Sequence, residues 1–383
     1  MREIKLLIVD DDDEVIEEFK NSIEICNRNN GDIKYKTYIA NNLDEAKEKL
    51  ETYIIDTAIR DINLNNRSGG DNVDGNSVIE EILKYFRIPI FVVSGTPDKL
   101  DDSLKNNVMI KRYTREVDTN TALFETDIPN SIKSSTLKYF SRNGYLEKEI
   151  TKIYWEYLSQ TIEYWEQVAE EFSQEEIDKI LSRHTLSCLN EKLYVNGNIG
   201  RFDEYHFGEM YIKPLIKQHY HTGDIVKKDE EYFIILNPDC DIVNIEINKP
   251  YKSKLIFYIL AKIISISQIS KIQHCNKDKN KNIQEIKKNS GGGSYHFLPM
   301  FANIFPQDSD GYVIDFQNLQ MVQLGLNLNQ TYNNIEQYIK AREQFIVEYE
   351  RVASIAPLFL KDIIARFSHY YARQGQPKFM EIK

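Results

Sequence analysis

The chain has 383 residues, of which 42% are hydrophobic and 28% are charged, so its composition is that of a folded globular protein with room for two or three domains. A formal net charge of −11 disfavours a protein that binds nucleic acid through an overall excess of cations. No apolar stretch is long enough to span a membrane and the N-terminus lacks a signal-peptide pattern. We therefore expect a cytoplasmic protein with four reduced cysteines.

Short apolar runs alternate with helical patterns at the start of the chain. Strands that alternate with helices predict a parallel sheet covered by helices on both faces. Residues 1–130 are thus predicted to form an α/β domain with a doubly wound, five-stranded parallel sheet. The predicted strands are 4–9, 35–39, 53–59, 88–93 and 108–110.

Polar residues follow four of these runs. Asp10 and Asp11 follow the first, Asp61 follows the third, Ser94 the fourth and Lys111 the fifth. Ligands of an open parallel sheet bind beyond the carboxyl ends of its strands, so we expect these five side chains to converge. Crowded carboxylates favour a hard cation such as Mg²⁺. An aspartate in such a site can accept a phosphoryl group that the cations and the hydroxyl stabilise.

Four segments, 5–11, 61–64, 92–95 and Lys111, resemble the motifs of the response-regulator receiver family in the family's order. The resemblance implies a flavodoxin-like receiver fold with Asp61 as the phosphoacceptor and with Ser94 and Lys111 as further catalytic residues. It also implies a phosphorelay in which the partner is a histidine kinase or a histidine-kinase-like ATPase.

The same resemblance implies an Mg²⁺ cofactor. Its ligands would be Asp10, Asp11, Asp61 and the backbone carbonyl of Asn63. The sequence departs from the family pattern at two places: Asn65 stands where the family has proline, and Arg112, again in place of proline, follows Lys111.

Residues 131–198 show a helical pattern and are predicted to link two domains. Apolar residues recur at three- and four-residue steps from 154 to 168, which predicts one long helix, and a second helix begins near 173–176. A helical hairpin or a dimerising helix pair fits this pattern.

Residues 199–383 are predicted to be an α+β output region. A hairpin over 221–236 favours a small β-barrel, and the apolar run 255–269 fits a buried helix. The polar run 276–293, which ends in three glycines, is predicted to be a flexible insertion. Two closing helices are predicted at 333–352 and 356–373.

The triplet Asp239-Cys240-Asp241 lies at the end of an apolar strand. It could hold a cysteine nucleophile near a histidine, a zinc site with His219 and His221, or a nuclease-like pair of carboxylates. We expect Cys240 instead to be a buried small hydrophobe, as unpaired cysteines commonly are. Whether the C-terminal region is an enzyme stays open.

These observations predict a two-component signalling protein. Its receiver domain accepts phosphate on Asp61 and regulates a C-terminal output region that is not a DNA-binding domain, because no helix-turn-helix with a basic recognition helix is found. One alternative is a pseudo-receiver that serves as an adaptor or scaffold in a multi-protein bacterial complex, such as a defence complex. Another is an enzyme in residues 200–383 that the receiver gates. Other protein partners of the C-terminal region are expected.

Overall fold

A computed structural model describes most of the chain. The described residues are 2–29, 31–61, 73–115, 117–133, 135–196, 201–202, 204–242, 255, 257–269, 279–289, 293–301, 304–308, 310–323, 336 and 348–373. The chain divides into two compact units, Met1–Asp203 and Glu204–Lys383.

The first unit begins with five strands in the spatial order β2-β1-β3-β4-β5, all parallel. This is the flavodoxin-like order of a doubly wound fold, which confirms the predicted α/β class. The strands are β1 (Arg2–Val9), β2 (Ile33–Ala40), β3 (Thr57–Arg60), β4 (Ile90–Ser94) and β5 (Ile110–Thr114). The intervening helices are α1 (Asp13–Asn29), α2 (Leu43–Thr52), α3 (Val73–Tyr85) and α4 (Asp102–Lys105).

Both faces of this sheet are buried because successive side chains of a strand point to opposite faces. Leu7 and Val9 pack with α2 and α3 on one face. Leu6 and Ile8 pack with α1 on the other face. Two apolar layers therefore hold the sheet.

Helices continue directly after β5. They are α5 (Val117–Ala122), a π-helical turn (Leu123–Asp127), α6 (Ile128–Lys133), α7 (Ser135–Phe140), α8 (Tyr145–Glu156), α9 (Ile162–Ala169) and α10 (Gln174–Tyr194). The long helix predicted over 154–168 is interrupted by a 3₁₀ turn at Leu158–Thr161. The unit ends with a two-stranded ribbon of β6 (Val195–Asn196) and β7 (Arg201–Phe202).

Helices α6 to α8 pack against the sheet domain, although residues 131–198 were predicted to link two domains. Ile132 is buried in the same core as β1 and α1. Arg87 donates to the Phe140 carbonyl at 2.5 Å and to Glu147 at 2.8 Å. Arg142 donates to the carbonyl of Leu50 at 3.2 Å. These contacts place α6 to α8 within the first unit.

The second unit is built on a seven-stranded antiparallel sheet in the order β12-β13-β11-β10-β9-β14-β8. The strands are β8 (Tyr211–Ile212), β9 (Asp224–Lys228), β10 (Glu231–Ile235), β11 (Phe257–Ser265), β12 (Tyr295–Leu298), β13 (Tyr312–Gln323) and β14 (Glu350–Ile355). Its helices are α11 (Asp239–Ile242), α12 (Lys279–Lys287) and α13 (Pro357–Ala372). The described strands form an open sheet with β12 and β8 at its edges, and not the small barrel considered from the sequence. The α+β character of the region is confirmed.

The helix predicted over 255–269 is wrong, because Phe257–Ser265 is the strand β11. It lies between β10 and β13, with apolar clusters on both faces of the sheet. Tyr258 and Leu260 are buried on one face, and Ala261 and Ile263 on the other. A strand that is buried on both faces has a continuous apolar run, and periodicity alone cannot distinguish it from a buried helix.

Part of the segment 276–293, which was predicted to be a flexible insertion, forms the helix α12. Helix α12 buries Ile283 against Ile266 and Val313, with Ile286 partly buried beside it. Two isoleucines three residues apart lie on one face of a helix, so a polar segment still has an apolar contact. Near the C-terminus, Glu350–Ile355 is a strand where a helix was predicted over 333–352, and residues 337–347 lie outside the described residues.

Cys26, Cys188 and Cys240 are free thiols, and Cys275 is not among the described residues. Within the described ranges, no helix is long and apolar enough to cross a membrane.

Candidate functional site

The carboxyl edge of the parallel sheet brings two buried aspartates together. Val9 of β1 pairs with Arg60 of β3, so Asp10 and Asp61 follow at equivalent positions of neighbouring strands. Asp10 is 2% exposed and Asp61 is 9% exposed. The observed register of β1 and β3 therefore brings these two carboxylates together in one acidic pocket.

Arg115 supplies the positive charge of this pocket. Its Nη2 lies 2.9 Å from Asp61 Oδ2 and 3.3 Å from Asp10 Oδ2, so one nitrogen contacts both carboxylates. The Arg115 backbone N–H donates to the Ser94 carbonyl at 3.1 Å. Arg115 directly follows β5, which is where a parallel sheet places its ligand-binding residues.

Lys111, the cation predicted for this position, is placed away from the two acids by the register of β5. Strand β5 begins at Ile110, and Lys111 pairs with Phe91, three residues before Ser94 on β4. At the rise of a strand this is about 10 Å back along the sheet. The Lys111 ammonium donates to Ser131 Oγ at 2.8 Å and lies 5.7 Å from the centre of the Phe91 ring.

The difference lies in the position of the fifth strand. The apolar run 108–110 predicts the strand, but Val108 is 87% exposed and, of this run, Ile110 alone enters the sheet. The strand continues through polar residues to Thr114, so the residue at its carboxyl end is Arg115. The available signal was the separation from Ser94, which is 17 positions for Lys111 and 21 for Arg115.

Burial makes Asp10 a weak acid. The pKa of Asp10 is raised from 3.8 to about 6, mainly by desolvation and in addition by the nearby Asp61 carboxylate. The Asp12 backbone N–H, which donates to Asp10 Oδ1 at 3.0 Å, and the Arg115 guanidinium act in the opposite direction. Ionisation of Asp10 therefore costs free energy in the folded protein, and a further cation would reduce that cost.

The other predicted residues differ in their placement. Ser94 is fully buried at the end of β4, and its Oγ accepts a hydrogen bond from the Thr96 N–H at 3.3 Å. Asp11 is exposed at the mouth of the pocket. Asn63, the predicted carbonyl ligand, lies outside the described residues.

A second arginine, Arg60, was not predicted as a site residue. It is 1% exposed within β3, and its Nε donates to the Asp61 backbone carbonyl at 2.9 Å. The side chain therefore holds the backbone of Asp61 from the strand itself. A charged residue between the apolar Ile59 and the pocket acid was the available signal in the sequence.

The donor set suits Mg²⁺. Mg²⁺ is commonly held by one or two carboxylates together with several waters. Asp10 and Asp61 each have a carboxylate oxygen within 3.3 Å of the same Arg115 nitrogen, so both face one cation position. Among the residues that the structure describes, no group of three or more His, Cys, Asp and Glu side chains is arranged to hold a metal. A two-carboxylate site is therefore the form that these residues can supply.

The triplet Asp239-Cys240-Asp241 forms the short helix α11 in the second unit. Cys240 is exposed, and the expectation that it is buried is wrong. Its Sγ lies 3.8 Å from the Asp241 carboxylate, an anionic neighbour that does not activate a thiol. Asp239 instead accepts the Thr222 N–H at 2.8 Å and lies 3.4 Å from His221 Nδ1.

The strand order and the acidic pocket define the N-terminal part of the chain as a receiver-like domain. Solved receiver domains are similar to it. A signal receiver domain of an HD domain-containing protein from Pseudomonas fluorescens Pf-5 matches over 35% of this chain and 100% of its own, with 17% sequence identity and a TM-score of 0.29.

Two other structures give similar values. The receiver domain of the Francisella response regulator 1452 matches 33% of this chain and 98% of its own, with 19% identity and a TM-score of 0.26. A response regulator receiver domain protein from Clostridium thermocellum matches 35% and 98%, with 18% identity and a TM-score of 0.26. No protein-family model matches the sequence, and no curated protein matches it.

Proposed function

We propose that this protein is a two-component signalling protein whose receiver domain accepts a phosphoryl group on Asp61. The observation that carries the proposal is the convergence of the buried Asp10 and Asp61 carboxylates on one cation, at the carboxyl edge of a receiver-type sheet. The phosphodonor is a histidine kinase or a histidine-kinase-like ATPase. The C-terminal unit is the output that the receiver regulates through protein partners.

The reaction transfers one phosphoryl group from a nitrogen atom of the donor imidazole to a carboxylate oxygen of Asp61. A carboxylate oxygen of Asp61 attacks phosphorus, a new O–P bond forms, and the P–N bond to the donor imidazole breaks. The imidazole keeps the bonding electron pair and takes up a proton from solvent. Bound Mg²⁺, held by Asp10 and Asp61, would neutralise charge on the phosphoryl oxygens.

The described side chains have separate roles in this step. Arg115 neutralises the transferred group, as the cation after the fifth strand. Ser94 offers a hydroxyl from the end of β4 to a phosphoryl oxygen, and Arg60 holds the Asp61 backbone in position. Asp10 keeps the pocket negative enough to attract a divalent cation.

The full chain should gain one phosphate when it is incubated with acetyl phosphate and Mg²⁺. Intact-protein mass spectrometry should show the added mass, and Asp61→Asn should abolish it. Asp98→Asn is the matched control, because it removes a carboxylate that is 97% exposed. The control should be labelled like the native chain.

A second candidate function is a pseudo-receiver that acts as an adaptor. It is favoured by the Arg115 contact itself, since a guanidinium that pairs with both acids gives the pocket a counter-cation without phosphate. In this case, the folded protein would gain no phosphate from acetyl phosphate with Mg²⁺, and Asp61→Asn would leave partner binding unchanged.

A further inference from the structure

The contact between Arg115 and the two pocket acids has a direct consequence for metal binding. Its Nη2 lies within 3.3 Å of an oxygen of each carboxylate. Mg²⁺ needs to approach such oxygens to 2.0–2.1 Å. A guanidinium nitrogen and a divalent cation that both contact these two Oδ2 atoms compete for them and repel each other.

We propose that Arg115 is an internal counter-cation that closes the pocket in the metal-free state, and that a divalent cation enters by displacing it. The inference rests on the proposed function in one respect, since it takes Asp10 and Asp61 as the metal ligands. The inference makes Arg115 a residue that weakens metal binding, whereas the pocket acids strengthen it.

The structure allows this displacement as a movement of the side chain alone. The Arg115 backbone is held by its N–H bond to the Ser94 carbonyl, so the movement is confined to the side chain. That side chain is 31% exposed, and it can therefore swing towards solvent. The freed guanidinium stays near the pocket mouth, where it can contact a phosphoryl group on Asp61.

The test measures Mn²⁺ binding to the full chain without any phosphodonor. Free Mn²⁺ is counted by electron paramagnetic resonance for the native chain, Arg115→Gln, Arg115→Lys and Arg112→Gln. Arg112 is the matched control, because it is also on β5 and pairs with the exposed Asp98 at 3.6 Å. Asp10→Asn identifies the site, since it should lose binding in every background.

Arg115→Gln should bind Mn²⁺ about tenfold more tightly than the native chain, as expected from the loss of one partly buried ion pair of ordinary strength. Arg112→Gln should stay within about twofold of the native affinity, since its charge is screened by solvent. Equal or weaker binding by folded Arg115→Gln, or no binding by any variant, would overturn the inference.

Arg115→Lys keeps a charge at the position and guards against a folding defect in the glutamine variant. A lysine has a single donor group, so the affinity of Arg115→Lys for Mn²⁺ should lie between those of the native chain and Arg115→Gln. In addition, the side-chain N–H signal of Arg115 in an NMR spectrum should shift on addition of Mg²⁺, while that of Arg112 should not.

The two proposals can fail separately. If Arg115→Gln binds Mn²⁺ more tightly but Asp61 gains no phosphate, the proposed function is contradicted and the role of Arg115 as the counter-cation is supported. If Asp61 gains phosphate but Arg115→Gln has an unchanged metal affinity, the proposed function is supported and the role of Arg115 is contradicted.

Discussion

At the residue scale, the burial of the pocket acids carries a cost in stability. Asp10 is 2% exposed beside Asp61, and Arg115 compensates this crowding only in part. Buried carboxylates that serve a reaction are commonly retained against the stability of the fold. Asp10 should therefore oppose folding at neutral pH.

The stability of the first unit should depend on the ionisation of Asp10. The pKa of Asp10 is about 6 in the folded protein and 3.8 in its ordinary state, so the folded chain binds more protons between these values and stability falls as pH rises through them. Asp10→Asn should thus stabilise the unit by up to roughly 3 kcal/mol at pH 7.5 and by about 1 kcal/mol at pH 4.5.

Urea unfolding with EDTA present measures this effect. Tryptophan fluorescence is a specific probe, because the two tryptophans, Trp155 and Trp165, lie in the first unit. Asp98→Asn should show no comparable change with pH. A gain for Asp10→Asn that is equal at both pH values would contradict the assignment of the effect to Asp10 ionisation.

At the scale of elements, a buried ion pair joins two strands of the second unit. Asp224, the first residue of β9, is fully buried, and Arg351 Nε of β14 lies 2.8 Å from its Oδ2. The Ser354 hydroxyl donates to the other carboxylate oxygen, and the His221 N–H donates to Oδ2 at 2.8 Å. The carboxylate of this β9 residue therefore has partners from β14 and from the turn before β9.

Asp224→Ala should destabilise the second unit by about 3–5 kcal/mol, because it leaves the Arg351 charge buried without its partner. Hydrogen–deuterium exchange of peptides from β9 and β14 measures the loss. The control is Glu348→Gln, which breaks the pair with Lys228 between the same two segments, where the side chains are 38% and 40% exposed. That change should cost less than about 1 kcal/mol. Similar costs for both variants would show that burial does not distinguish the two pairs.

At the scale of the whole molecule, the chain consists of two compact units, each with its own apolar clusters. The first unit extends beyond the predicted receiver boundary at residue 130. Ile132 is 5% exposed in its core, and Arg87 and Arg142 bind the helices that follow. The receiver-like sheet and helices α6 to α8 should therefore unfold together.

A fragment of residues 1–203 should fold without the rest of the chain and show the same urea midpoint by tryptophan fluorescence as the full protein. A fragment of residues 1–130 should be less stable by at least roughly 2–4 kcal/mol, since it loses the burial of Ile132 and the contacts of both arginines. Far-UV circular dichroism compares the two fragments. Equal stability would show that α6 to α8 are not part of the folding unit.

Much of the first unit could be predicted from the order of residues. Alternating apolar runs and helical patterns determine a parallel sheet, because such strands need helices on both faces. Strand ends then determine the positions of Asp10, Asp61 and Ser94, because all carboxyl ends of a parallel sheet share one edge. These local rules do not depend on which neighbour each strand finds.

Only the tertiary structure decided which cation completes the pocket and which apolar run is a strand. The start of β5 depends on its pairing with β4, and this register places Arg115, not Lys111, at the carboxyl edge. The run that forms β11 is apolar on both faces because it lies in the middle of a covered sheet, and no local pattern records that burial. Both features depend on contacts between residues far apart in the chain, which local sequence patterns do not determine.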